Sequence, residues 1–148
     1  MEFLQIYLTG YENERKNYAL AKKAIALLTK YDVNLIELKG YKRDEVNQLL
    51  NACDLALLPS KSEGSPQFIK EAMACNCPII STDVGDVKDV IKNTKGCYIT
   101  SYIPADVANK IKMALNFGKR TEGRGQIEHL DNRLIAARIV DVYKKILE

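Results

Sequence analysis

Apolar residues follow two different spacings along this chain. Short, almost unbroken apolar runs occur at 3–8 (Phe-Leu-Gln-Ile-Tyr-Leu), 33–38, 55–58 (Leu-Ala-Leu-Leu), 78–81 and 97–100. Between them lie longer stretches whose apolar positions recur every three or four residues. The first pattern predicts strands buried on both faces, the second amphipathic helices. Helices are expected at 16–30 (Tyr18, Ala21, Ile25, Leu28 inward), 43–52 (Val46, Leu49, Leu50) and 67–75. Further helices are expected at 87–91, from Pro104 to about Phe117, and at 132–147. Pro104 suits a first helical turn, where its missing N–H is not needed. Gly118, Gly123 and Gly125 mark a stretch rich in helix breakers. Strand and helix alternate throughout, which requires right-handed crossovers and a parallel sheet with helices on both faces. The expected fold class is therefore α/β, a Rossmann-like doubly wound sheet. Ligands of such sheets sit beyond the carboxyl ends of the strands. The loops at 9–16, 39–43, 59–67 and 82–87 should share that edge.

Composition narrows the classes without naming one. A length of 148 residues suits one domain with one core, and 47% hydrophobic with 28% charged residues is ordinary globular composition. The net charge of +3, from 22 basic and 19 acidic residues, is too small and dispersed for a nucleic-acid-binding face. No apolar run reaches the length of a membrane span, and nothing resembles a secretory signal. Cys53, Cys75, Cys77 and Cys97 lie in apolar sequence, as buried free thiols do. Cys75-Asn-Cys77 has neither redox nor zinc spacing, so no metal is expected, and a reducing cytoplasmic setting is the simpler reading.

The chemistry concentrates in residues 58–91. Glu63 and Glu71 stand eight positions apart, joined by a Gly-Ser-Pro turn that leads into a helix. A carboxylate at a loop mouth and another on the following helix can both accept hydrogen bonds from one polyhydroxylated ligand. Asp83-Val-Gly85-Asp86 is better read as a turn capping the next short helix than as a metal-binding pair. His129, the single histidine, has no partner in sequence and reads as a surface residue.

These residues carry a family resemblance. Glu63-Gly-Ser-Pro-Gln-Phe-Ile-Lys-Glu71-Ala-Met-Ala-Cys-Asn-Cys-Pro78, with Asp83-Val-Gly85 beyond it, resembles the donor-binding half of retaining glycosyltransferases of the GT-B architecture, in the large family four. Ala52-Cys-Asp54-Leu-Ala-Leu-Leu-Pro59-Ser60 and Arg15-Lys16-Asn17 also match that pattern. The resemblance covers nearly the whole chain. It implies that residues 1–148 form one nucleotide-sugar-binding domain with 132–147 as a tail helix, and that an N-terminal acceptor domain is missing. It implies a nucleotide-diphospho-sugar substrate, with a UDP-sugar as the default donor and no separate cofactor. The implied partners are the missing domain and the nucleotide-sugar; peripheral association of the whole enzyme with the inner membrane face stays open. Surface-polysaccharide or glycolipid synthesis is the implied setting.

The resemblance also implies roles. Glu71 would hold the ribose hydroxyls, and Glu63 the hydroxyls of the transferred sugar. Lys16, with Arg15, would neutralise the diphosphate and assist departure of the nucleoside diphosphate, an electrostatic form of catalysis. Gly64, Ser65, Pro66 and Gln67 would bring a helix N-terminus to the diphosphate, and Tyr41, after Gly40, would lie by the nucleobase. Many relatives carry Gly-Phe-Gly after the first glutamate. Pro66 in this chain removes one N–H donor from that turn. Three other readings stay in view: a non-catalytic nucleotide-sugar-binding module, a sugar-nucleotide epimerase of related architecture, and a flavodoxin-like signalling domain. The last is disfavoured because Asp54 precedes its strand rather than following it.

Overall fold

The computed structural model describes residues 2–8, 10 and 12–147. Thr9 and Tyr11, in the expected 9–16 loop, lie outside the described residues. Five parallel strands form one sheet: β1 (Glu2–Leu8), β2 (Tyr31–Glu37), β3 (Leu55–Leu58), β4 (Ile79–Thr82) and β5 (Cys97–Thr100). Their spatial order is β2-β1-β3-β4-β5. The helices are α1 (Tyr18–Ile25), α2 (Arg43–Ala52), α3 (Gln67–Ala74), α4 (Val87–Ile91), α5 (Pro104–Phe117), α6 (Gly123–Ile127) and α7 (Asn132–Leu147).

The two-sided burial read from the apolar runs is what divides the core. Along β3, Leu55 and Leu57 point to one face, Ala56 and Leu58 to the other, and all four are buried. Leu55 and Leu57 join Ile6, Leu20, Ala24, Val107 and Ile111 under α1 and α5. Ala56 and Leu58 join Leu50, Phe68, Ile69, Met73 and Val87 under α2, α3 and α4. Each fully buried Leu or Ile contributes about 1.5–3 kcal/mol. The chain leaves β1 toward β2, then returns to the opposite side of β1 for β3. Consequently α1 and α3, which follow neighbouring strands, lie on opposite faces. A crevice must open between them at the carboxyl ends of β1 and β3.

Three expected elements differ. The helix expected at 16–30 is only Tyr18–Ile25. Lys16 belongs instead to a 3₁₀ turn, Glu14–Lys16, and Asn17 follows in the left-handed conformation (φ 57°). An asparagine tolerates that conformation, and the reversal separates turn from helix. At the other end, Leu27 N–H donates to Ala24 and Leu28 N–H to Ile25, which tightens the last turn before β2. The breaker-rich stretch contains a short helix, α6. Gly123 is there for close approach: a Cβ would lie 2.8 Å from the Met73 sulfur and 3.2 Å from its Cα. The 83–86 turn does precede α4, but the Asp86 side chain does not cap it.

Arg120 closes the amino end of the sheet. Its guanidinium donates to the carbonyls of Leu50 (2.7 Å), Cys53 (2.8 Å) and Cys75 (2.8 Å), the last-turn and terminal acceptors of α2 and α3. Replacing Arg120 by methionine should destabilise the domain by about 2–4 kcal/mol, since three carbonyls lose a charged donor. Urea denaturation measures this; a loss below about 1 kcal/mol would mean that water takes over the three acceptors. Cys53, Cys75 and Cys77 are buried free thiols; Cys97 is half-buried, and its burial raises its pKa to about 12. α7 stands apart from both clusters: none of its residues is buried, and Ile135, Ile139, Val142 and Ile146 form an exposed apolar stripe.

Candidate functional site

Two loops face each other across the crevice, one after β1 and one after β3. From the first, Lys16 extends its ammonium to Glu63 on the second, with Nζ 2.5 Å from Oε1. The side chains are 22% and 11% exposed, so the pair is largely shielded from water. Gly10, with φ +78°, makes room for this reach. A Cβ there would lie 2.5 Å from Lys16 Cγ and 3.0 Å from its Cβ. The backbones are also tied, since Lys61 N–H donates to the Arg15 carbonyl at 2.8 Å.

The Glu63 loop is pinned from several sides. Thr82 Oγ1 donates to the Ser60 carbonyl at 2.5 Å, and Tyr102 Oη reaches the same oxygen at 3.3 Å. Asp86 N–H donates to the Gly64 carbonyl at 3.1 Å. Gly85 adopts φ +55° directly beneath this loop, where a Cβ would overlap the Gly64 carbonyl oxygen and come within 2.9 Å of that of Glu63. Three neighbouring strand ends therefore hold one loop in place. Such support is what a preorganised polar site requires.

Glu71 sits in the second turn of α3, half-buried, and opens onto a different space. A groove of about 800 Å³ runs between α2, α3 and the α6–α7 segment, lined by Arg43, Asn47, Gln67, Lys70, Glu71 and Arg124 among others. Burial raises the Glu71 pKa, and the Arg43 charge partly opposes the rise. A carboxylate in that position gains from hydroxyl donors that restore what water supplied. Glu63 does not line this groove. The two glutamates therefore lie in adjoining compartments, with the Gly64–Gln67 turn between them.

The remaining expected site residues fall as follows. Pro66 is buried and occupies the N-cap of α3, where it offers no side-chain acceptor. Gln67 is exposed and lines the groove. Gly64 is exposed, with open space where a Cβ would be. Ser65 Oγ donates to Asp86 Oδ2 at 2.5 Å and accepts from Lys70 Nζ at 2.5 Å. The Arg15 side chain is exposed beside Lys16, and Tyr41 is 45% exposed in the β2–α2 loop, outside the groove lining. His129 is exposed. Sequence reading overlooked Arg43 and Lys70, and gave Asp86 a capping role where its side chain instead takes the Ser65 hydroxyl. Lys70 could have been suspected, because a lysine four residues into a helix can reach back over its first turn. Among the described residues no cluster of three His, Cys, Asp or Glu side chains could hold a metal, and no helix is long and apolar enough to cross a membrane.

The site sits where doubly wound sheets bind ligands. The model of the family described as glycosyl transferases group 1 matches residues 2–116, and this chain belongs to that family. An uncharacterized glycosyltransferase of Methanocaldococcus jannaschii is 35% identical over 99 residues, covering 66% of this chain and 28% of that protein. The N,N'-diacetylbacillosaminyl-diphospho-undecaprenol alpha-1,3-N-acetylgalactosaminyltransferase of Campylobacter jejuni is 28% identical over 114 residues, covering 72% and 30%. Among solved structures, sucrose-phosphate synthase from Thermosynechococcus elongatus superposes with a TM-score of 0.82 at 18% identity, covering 97% of this chain and 46% of that one. Anabaena HepE in complex with UDP superposes at 0.80 and 16% identity, covering 97% and 49%. The fold is thus the expected Rossmann-like half of a GT-B glycosyltransferase. The chain spans under a third of these two curated relatives and about half of the two solved chains.

Proposed function

We propose that this chain is the donor-binding domain of a glycosyltransferase and that it takes a nucleoside-diphospho-sugar. The observation that carries the reading is the Lys16–Glu63 pair at the β1/β3 crevice, with Glu71 one helix turn beyond on the adjoining groove. A nucleotide sugar has its parts in the order base, ribose, diphosphate, sugar. Glu71 receives the ribose hydroxyls, Lys16 with Arg15 meets the diphosphate charge, and Glu63 accepts from hydroxyls of the transferred sugar. Tyr41 lies on the base side. Arg43, near Glu71, partly offsets the rise that burial gives the pKa of that carboxyl. UDP is the expected nucleotide, an assignment supported by the UDP found with the Anabaena neighbour.

In the intact enzyme the glycosyl group passes to a saccharide or lipid-linked hydroxyl with retention of configuration. The bond from the anomeric carbon to the diphosphate oxygen breaks, and the bond to the acceptor oxygen forms on the same face. The acceptor proton leaves with the diphosphate, whose growing charge Lys16 stabilises. The acceptor is supplied from a second domain outside residues 1–148, and the exposed apolar stripe of α7 supports its role as the tail that returns to that domain. The isolated chain is then a binder without turnover.

Calorimetric titration with UDP, GDP and ADP tests this reading. One diphosphate should bind selectively, and Glu71→Ala should weaken it by roughly 10- to 100-fold, since two charge-assisted hydrogen bonds are lost. Unchanged affinity in Glu71→Ala would sink the ribose assignment, and no binding of any of the three diphosphates would count against the donor site itself.

A further inference from the structure

One cation at the site has no role in the scheme above. Lys70 lines the groove that holds Glu71, yet its ammonium turns back over the start of α3 to Ser65 Oγ, 2.5 Å away. It stands 3.9 Å from Asp86 Oδ2, beyond hydrogen-bond range, while that oxygen already takes the Ser65 hydroxyl at 2.5 Å. An ammonium has three donors, and the hydrogen bond to Ser65 occupies one of them. The other Asp86 oxygen, Oδ1, is buried and has no hydrogen-bond partner. The Lys70 charge is therefore stationed at the α3 entrance by a partner it does not fully engage. It lies between the ribose compartment at Glu71 and the Glu63 loop, beside the Gly64–Gln67 turn.

We infer that Lys70 is a further cationic ligand of the donor diphosphate, beside Lys16 and Arg15, stationed on Ser65 and Asp86 until the nucleotide arrives. This rests on the donor-site reading given above. The sequence supplies an independent reason for such a residue. Pro66 removes an N–H from the turn that faces the diphosphate, and its ring provides no side-chain cap. Lys16 shares its charge with Glu63 at 2.5 Å and Arg15 is exposed to solvent, so a third cation adds to what the diphosphate meets. A nucleoside diphosphate brings more than one negative charge, and a flexible lysine one turn away can leave a hydroxyl for a phosphate oxygen with little cost. Ser65, released in the exchange, keeps Asp86 as its acceptor.

The test is calorimetric titration of the chain with UDP, and displacement of UDP by inorganic pyrophosphate, in wild type, Lys70→Met and Lys70→Arg. Lys70→Met should weaken UDP and pyrophosphate in parallel, by about 10-fold for one lost charge-assisted contact. Lys70→Arg should restore most of the affinity. Thermal melting of Lys70→Arg should match wild type, because the arginine keeps a charge beside Ser65 and Asp86. UDP affinity unchanged in Lys70→Met, or weakened with pyrophosphate unaffected, overturns the role of Lys70 alone. Failure of the wild-type chain to bind UDP, GDP or ADP overturns the donor-site reading, and this inference with it.

Discussion

Lys16→Met should reduce the rate of glycosyl transfer by the full-length enzyme by about 10²–10³-fold, the usual effect of removing one preorganised donor to a developing negative charge. Nucleoside diphosphate binding to the present chain should weaken by roughly 10- to 100-fold in the same variant. The reason lies in the pair itself. Lys16 is seated by the close approach of Gly10 and by the tie between Lys61 and Arg15, so its ammonium already stands at the crevice. Removing it has a second consequence. Glu63, 11% exposed, is left without its cation, and an unpaired carboxylate in such a place is destabilising. Glu63→Gln in the same chain separates the two effects. The double variant should regain the lost stability while diphosphate binding stays weak. Recovery of binding in the double variant would show that Lys16 serves only to neutralise Glu63.

Gly85→Ala should have the largest effect of any single-methyl change in the molecule. The added Cβ meets two carbonyl oxygens of the Glu63–Gly64 backbone rather than the flexible end of a side chain. At φ +55° a non-glycine residue costs about 1–2 kcal/mol before any overlap is counted. With the Glu63 loop forced away, the Asp86–Gly64 hydrogen bond is lost as well. We expect destabilisation of about 3 kcal/mol or more, read by urea denaturation. The calorimetric signal for UDP should fall by at least about 10-fold, because the loop that presents Glu63 no longer sits opposite Lys16. Near wild-type values in both measurements would mean that the turn relaxes freely and that β4 does not position the loop. For the stability measurement Gly64→Ala is the natural control, because open space surrounds its Cβ position.

Most of the architecture can be read locally, and so can the position of the carboxylates. Periodicity placed β3, β5, α2, α4, α5 and α7 on their observed residues, because burial on one face or two is written into the spacing of apolar side chains. Leu55-Ala-Leu-Leu58 could only be a central strand, since no neighbouring position was left for water. Where the reading failed, backbone geometry intervened. Asn17 in the left-handed conformation cut the first helix short, and Gly123 served close packing on Met73 rather than a break.

The sequence by itself determined a doubly wound α/β domain, the placement of Glu63 in a loop and Glu71 on the following helix, and a resemblance to glycosyltransferases. Only the tertiary structure decided that Lys16 meets Glu63 across 47 positions, that Gly85 cradles Gly64, and that Lys70 and Asp86 share Ser65. It also decided that Glu63 and Glu71 open onto neighbouring compartments instead of one. The physical reason is the strand order. Placing β1 beside β3 brings together loops that are far apart in sequence, and short polar contacts between loops leave no periodic trace in the chain.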